Sequence, residues 1–124
     1  PPHDLLVIYG SGDTYTPPQT TRLLADVLGL NMVAPAIDTG PLEAFEGYAA
    51  GPDQDPEEDR IVDPPVSADT IVGTTPVTLG LLGYTPAEGR DGHFVLFDNA
   101  TAKTQAREFF ATKFKTGTAT IVAP

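Results

Sequence analysis

Asp13 and His93 are the two side chains of this sequence whose types and settings could do chemistry together. A carboxylate that accepts from one imidazole nitrogen leaves the other nitrogen facing a nucleophile as a base, which is the acid–base half of a catalytic triad. Asp13 lies in YGSGDTYTPP, directly after the apolar run Leu5, Leu6, Val7, Ile8, and His93 lies in DGHFVLFDN beside a second apolar run. Each is followed by a helix pattern, so both belong on loops at strand ends. A carboxylate oxygen of Asp13 is then expected about 2.6–3.2 Å from a ring nitrogen of His93. The bland alternatives are real: an aspartate after glycine commonly caps its own turn, and a lone histidine is commonplace. The pairing carries the weight. Tyr15, two residues past the acid, and Tyr84, just before the histidine loop, are expected to line a substrate cleft. The nucleophile is missing: Ser11 and Ser67 are the only serines, and neither has a Gly-x-Ser-x-Gly setting.

The elements that must position these residues read as α/β. Leu5 to Ile8, ended by Gly10 and Gly12, reads as a strand covered on both faces. Thr16 is expected to cap a helix with Pro17 at its first position, Leu23, Leu24, Val27 and Leu28 on its apolar face, and Gly29 as its stop. Phe94, Val95, Leu96 and Phe97 read as a second strand, and Asp98 or Asn99 as the cap of a helix. On that helix Ala102, Ala106, Phe109, Phe110 and Phe114 share a face, and Gly117 ends it. The phenylalanines are expected in the core rather than at a lipid site. Between the two units, Ile71 to Leu82 is β-branched and apolar enough for a further strand, with Gly73, Gly80 and Gly83 as breaks. Residues 118–123 fit a short strand, a tail or a linker. No internal repeat is present.

Composition bounds the function. The chain has 124 residues, enough for one small domain, and 17 acidic against 7 basic residues give a net charge of -10. That charge repels phosphate backbones and anionic lipid surfaces, so nucleic acid is not expected as a partner, and with no apolar stretch near the length of a membrane span, membrane insertion is not expected either. With no cysteine, disulfides, thiolate catalysis and Cys-based zinc sites are excluded. Residues 38–69 hold ten carboxylates and one arginine among several prolines, and residues 31–80 are read as an irregular acidic insertion. Asp53, Asp55, Glu57 and Asp59 begin like a calcium loop, but the central glycine and closing glutamate are absent, so no metal is expected. Tyr9 to Thr16 also resembles the flavin-phosphate loop of flavodoxins, yet Asp13 repels an anion and Pro17 and Pro18 subtract amide donors. No cofactor is expected. High acid, Thr, Gly and Pro content leans towards a secreted protein, with the cytoplasm as the second expectation.

The run LLVIYGSGDTYTPPQTTRLLADVLGL resembles the late strand, acid-bearing loop and following helix of α/β-hydrolases, where Gly-x-x-Asp ends the strand and proline precedes the helix. DGHFVLFDN resembles the histidine loop of that family through Gly92-His93-Phe94, and residues 102–114 match its terminal helix. The resemblance covers about residues 4–30 and 91–115 and implies that Asp13 is the triad acid and His93 the general base. Asp13 and His93 stand 80 residues apart, further than is usual in the family, which implies an insertion. The oxyanion loop and nucleophile elbow are absent. The resemblance thus implies a partial α/β-hydrolase domain over 1–124: the C-terminal portion of a serine esterase or lipase-like hydrolase, inactive alone. A heterodimeric or once-continuous N-terminal part would supply the serine and oxyanion hole for a small ester substrate. The rival expectation is a nonreactive structural or ligand-binding α/β module that keeps Asp13 and His93 apart.

Overall fold

Leu5, Leu6, Val7 and Ile8 cannot all be satisfied by one covered face, and the fold covers both. The computed structural model describes residues 2–37 and 61–124. In chain order its elements are β1 (Leu5–Gly10), α1 (Pro18–Val27), β2 (Asn31–Val33), β3 (Ile61–Val62), β4 (Thr70–Val72), β5 (Thr75–Val77), β6 (Leu79–Tyr84), a 3-10 turn at Gly92–Phe94, α2 (Val95–Asp98) and α3 (Ala100–Thr116). Strands β1, β6, β2 and β3 form one parallel sheet in that order, with Leu5 opposite Leu79 and Gly10 opposite Tyr84. β4 and β5 form a separate antiparallel hairpin. Because strand side chains alternate, Leu5, Val7 and Tyr9 pack with Leu79, Leu81 and Met32 around Ala25 of α1. Leu6 and Ile8 pack on the opposite face with Leu82, Tyr84, Val33, Ala102 and Phe109. The protein is therefore a mixed α/β fold around a parallel sheet.

Three elements differ from the sequence reading. The strand that partners β1 is β6, and it runs through Gly80 and Gly83 instead of breaking at them. Both glycines sit where another group comes close. A Cβ on Gly80 would lie 2.2 Å from Ile121 Cδ1, and one on Gly83 would lie 2.7 Å from the Tyr9 hydroxyl oxygen. The apolar run Phe94 to Phe97 is helical, not a strand, because Asp91 caps the turn that begins there. Pro17, without a side-chain cap, takes the position expected for Thr16 at the start of α1. Asn99 does cap α3, accepting from the Ala102 amide at 3.0 Å, and Gly29 and Gly117 take the left-handed conformation at the helix ends.

The apolar faces also differ. α1 buries Arg22 and Ala25, while Leu24, Val27 and Leu28 are exposed. α3 buries Ala102, Gln105 and Phe109, but Phe110 and Phe114 are exposed, Phe114 by 87%, as is Phe97 on α2. The expectation that these phenylalanines fill the core holds for Phe109 and fails for Phe94, Phe97, Phe110 and Phe114. The apolar arcs of the helices are wider than the four-stranded sheet that the described residues offer them.

Residues 118–123 contribute Ala119 and Ile121 to the core. Ile121 and Ala119 are fully buried, and Ile121 exchanges both backbone hydrogen bonds with Val66. Within 31–80, the described stretches supply β2 to β5 and the start of β6. Residues 38–60, with the run Asp53 to Asp59, lie outside the described residues.

Asp4 ties the sheet to α3. Its carboxylate accepts from the Thr78 amide at 2.8 Å and meets Lys113 Nζ at 2.6 Å. Burial alone would raise its pKa, but the Lys113 hydrogen bond and charge, with the Thr78 and Ala119 amides, outweigh that and hold it below the ordinary carboxylate value. A depressed folded-state pKa contributes stability above the unfolded value, about pH 4, and loses it as pH falls through the folded one. Asp4→Asn is expected to flatten the acid limb of a Tm-against-pH curve and to change little of its shape above pH about 6. An unchanged acid limb would show that the Asp4–Lys113 pair makes no such contribution.

Candidate active site

The carboxyl ends of β1 and β6 are neighbours in the sheet, and the loops leaving them meet above that edge. What lets them meet is a pair of glycines. A Cβ on Gly10 would lie 2.2 Å from the Gly92 carbonyl oxygen, and one on Gly92 would lie 2.5 Å from the Ser11 carbonyl oxygen and 2.7 Å from the Asp13 amide nitrogen. The two backbones touch where only hydrogen fits between them.

This contact brings Asp13 and His93 together across 80 residues. Asp13 Oδ2 lies 3.4 Å from His93 Nδ1, with the Asp13 side chain 8% and the His93 side chain 43% exposed. That separation is slightly longer than the expected window and is at the loose end for a hydrogen bond. The other oxygen, Asp13 Oδ1, accepts from the amides of Tyr15 and Thr16, each at 2.8 Å. Asp13 thus caps its own turn with one oxygen and faces the imidazole with the other. The capping role expected of it is filled, and the same side chain reaches the imidazole.

Tyr15 is 70% exposed, and its ring lies 4.8 Å from the His93 ring at 44°. Phe94 stands edge-on to His93 at 5.2 Å, and the Arg90 guanidinium lies 5.9 Å from the Phe94 ring centre. These rings limit how the imidazole can turn. A cavity of about 320 Å³ opens beside them, lined by Ile8, Thr16, Thr21, Leu96 and Phe97 as well as by Asp13 and His93. Tyr84 sits elsewhere. It is buried in the core, where its hydroxyl donates to Gln105 Oε1, and burial pushes its pKa up to about 12, so it is a neutral donor and not a cleft residue. Neither Ser11 nor Ser67 lines the cavity; the Ser67 hydroxyl donates to the Ala119 carbonyl at 3.1 Å.

Two further residues, Asp91 and Thr14, link the two loops. Asp91 Oδ1 accepts from the His93 amide at 2.8 Å and from the Thr14 amide at 3.3 Å, and Asp91 Oδ2 accepts from the Thr14 hydroxyl at 2.5 Å. The Thr14 hydroxyl and then the His93 amide hold the Asp91 carboxyl below its ordinary pKa. An acid directly before a helical turn is a capping signal, so the Asp91 contact to His93 is readable in the sequence; its reach to Thr14 is not.

The loop's amides decide against an anion cradle. Those of Ser11 and Asp13 donate to the carbonyls of Tyr84 and Gly10, and those of Thr14, Tyr15 and Thr16 donate to carboxylates. Five donors that phosphate would need already have acceptors. Among the described residues no cluster of three or more metal-ligating side chains occurs, and no helix is long and apolar enough to cross a membrane. Comparison with family models, with curated proteins and with solved structures finds no match for this chain.

Proposed function

We propose that this chain is the C-terminal part of an α/β-hydrolase-like serine esterase, in which Asp13 is the triad acid and His93 the general base. The observation that carries the reading is the 3.4 Å approach of Asp13 Oδ2 to His93 Nδ1 at the rim of a cavity, on loops leaving adjacent parallel strands. In this reading Asp13 holds the Nδ1–H tautomer. His93 Nε2 takes the proton from a serine hydroxyl as the serine attacks the ester carbonyl, then returns a proton to the leaving alkoxide. Water repeats the cycle on the acyl-enzyme. Tyr15 packs its ring on the imidazole without lining that cavity.

The serine and the oxyanion donors come from an N-terminal part. Support for such a companion lies at β1, which among the described residues has a partner on one side only. The Leu5 amide donates to Thr78 and the Ser11 amide to Tyr84, so the backbone groups of Leu6 and Ile8 point off the other edge. An unpaired, apolar, six-residue edge is a liability that proteins normally cover. Exposed Leu24 and Val27 on α1, with Leu28 at its end, add an apolar face to be covered.

The experiment uses p-nitrophenyl butyrate and a fluorophosphonate probe. The chain alone is expected to turn the ester over at the buffer rate. Together with its N-terminal part it should hydrolyse the ester, and the probe should label a serine of that part. Turnover by the chain alone, or labelling at Ser11 or Ser67, would overturn the assignment. The rival reading, a nonreactive α/β module, draws on the capping bonds of Asp13 Oδ1 and predicts no labelling at all.

A further inference from the structure

The contact between Asp13 and His93 joins two side chains that are carried on separate loops. What fixes their origins is a second carboxylate. Asp91 receives the amide of His93 on one side and both the amide and the hydroxyl of Thr14 on the other, so a single side chain links the residue after the acid to the residue that carries the imidazole. All three bonds lie within 3.3 Å, whereas the Asp13–His93 approach is 3.4 Å.

We propose that Thr14 and Asp91 form a positioning clamp that holds the acid loop against the histidine loop and thereby keeps His93 in the tautomer whose Nδ1–H faces Asp13. The proposal rests on the acid–base reading of Asp13 and His93 and adds to it two residues that touch neither substrate nor the reacting atoms. The physical need is plain. A neutral imidazole in water favours the Nε2–H tautomer, which would present no base to a nucleophile on that side. Asp13 reverses that preference only while one of its oxygens stays within reach of Nδ1. With Oδ1 engaged by Tyr15 and Thr16, only Oδ2 is left for the ring, and a small shift of either loop breaks the contact. The touching glycines prevent the loops from closing further, and the clamp prevents them from opening. Both loops are thus bracketed. The Thr14 hydroxyl and the His93 amide lower the pKa of the Asp91 carboxyl and so favour its ionised form, the form in which it accepts all three bonds.

The test is ¹⁵N NMR of the ring nitrogens in the full chain, at a pH where both histidines are neutral. The chain has two histidines, and exposed His3 serves as an internal standard for an unconstrained ring. His93 is expected to show the Nδ1–H pattern and His3 the ordinary mixture dominated by Nε2–H. Thr14→Val, which removes the hydroxyl donor at nearly constant volume, should move His93 towards the His3 pattern, and Thr14→Ser should restore it. Thr14→Ala gives the same reading if valine disturbs the loop. In the intact assembly Thr14→Val should lower kcat about 10- to 100-fold with KM retained. A wild-type His93 pattern in a folded Thr14→Val protein, with Asp13→Asn alone changing it, would overturn the clamp and leave the relay standing. A wild-type His93 that already matches His3 would overturn both.

Discussion

His93→Ala in the intact assembly is expected to lower kcat for ester hydrolysis by about 10⁴-fold or more, equivalent to about 5.5 kcal/mol of transition-state stabilisation. Without the imidazole, the serine proton has no acceptor during attack, and the leaving alkoxide has no donor. Stability should change little, because the His93 side chain is 43% exposed and its amide bond to Asp91 survives the substitution. Asp13→Asn should be nearly as damaging, by about 10⁴-fold, and for a different reason. Its carbonyl oxygen can still cap the Tyr15 and Thr16 amides, so the loop stays folded. Its amide group then presents N–H to Nδ1 and forces the proton onto Nε2, where it blocks the base. A variant with retained Tm and lost turnover separates this outcome from misfolding, and burst kinetics would show that acylation is the step lost. An active His93→Ala assembly would sink the acid–base assignment. So would full activity in Asp13→Asn.

The second large effect is expected at the glycine junction. Gly92→Ala should destabilise the protein by about 3 kcal/mol, and Gly10→Ala by at least as much, because the added methyl meets backbone atoms, which cannot rotate aside. Either the two loops separate or the strand ends bend. Separation also breaks the Asp13–His93 contact, so loss of the His93 tautomer should accompany the loss of stability. Gly89→Ala is the control. It has open space around its Cβ but a φ of +73°, and should cost only about 1–2 kcal/mol from backbone strain. Urea unfolding of the three variants gives the ranking. If Gly92→Ala were no worse than Gly89→Ala, the backbone contact would not be a constraint on the fold.

Much of the local structure was legible. Leu5 to Ile8 reads as a strand because four consecutive apolar residues suit a sheet covered on both faces, and β1 is that strand. Asn99 and Gly117 bracket α3 as their chemistry suggests. The central strand was hard to recognise because Gly80 and Gly83 look like breakers in sequence. In the fold they are the places where Ile121 and Tyr9 pack against the sheet. The Phe94 to Phe97 run misleads in the opposite sense. Its apolar content fits a strand, yet the Asp91 cap starts a helical turn before a ladder could form. Periodicity alone also could not tell that Phe110 and Phe114 would face outward, since that depends on how much sheet lies under the helix.

The sequence by itself determined the chemical types available: one imidazole and one carboxylate in strand-end settings, no cysteine, and no serine in an elbow. It also determined the α/β character, through apolar runs joined to capped helix patterns. Only the tertiary structure decided which residues meet. Parallel pairing of β1 with β6 brings loops 80 residues apart to one edge, and two glycines let their backbones touch. The Thr14–Asp91 bonds and the withdrawal of Tyr84 into the core follow from the same packing. Residue types and caps act through near neighbours in the chain. A contact across 80 residues depends on strand order and on the shape of surfaces that exist only once the sheet has formed.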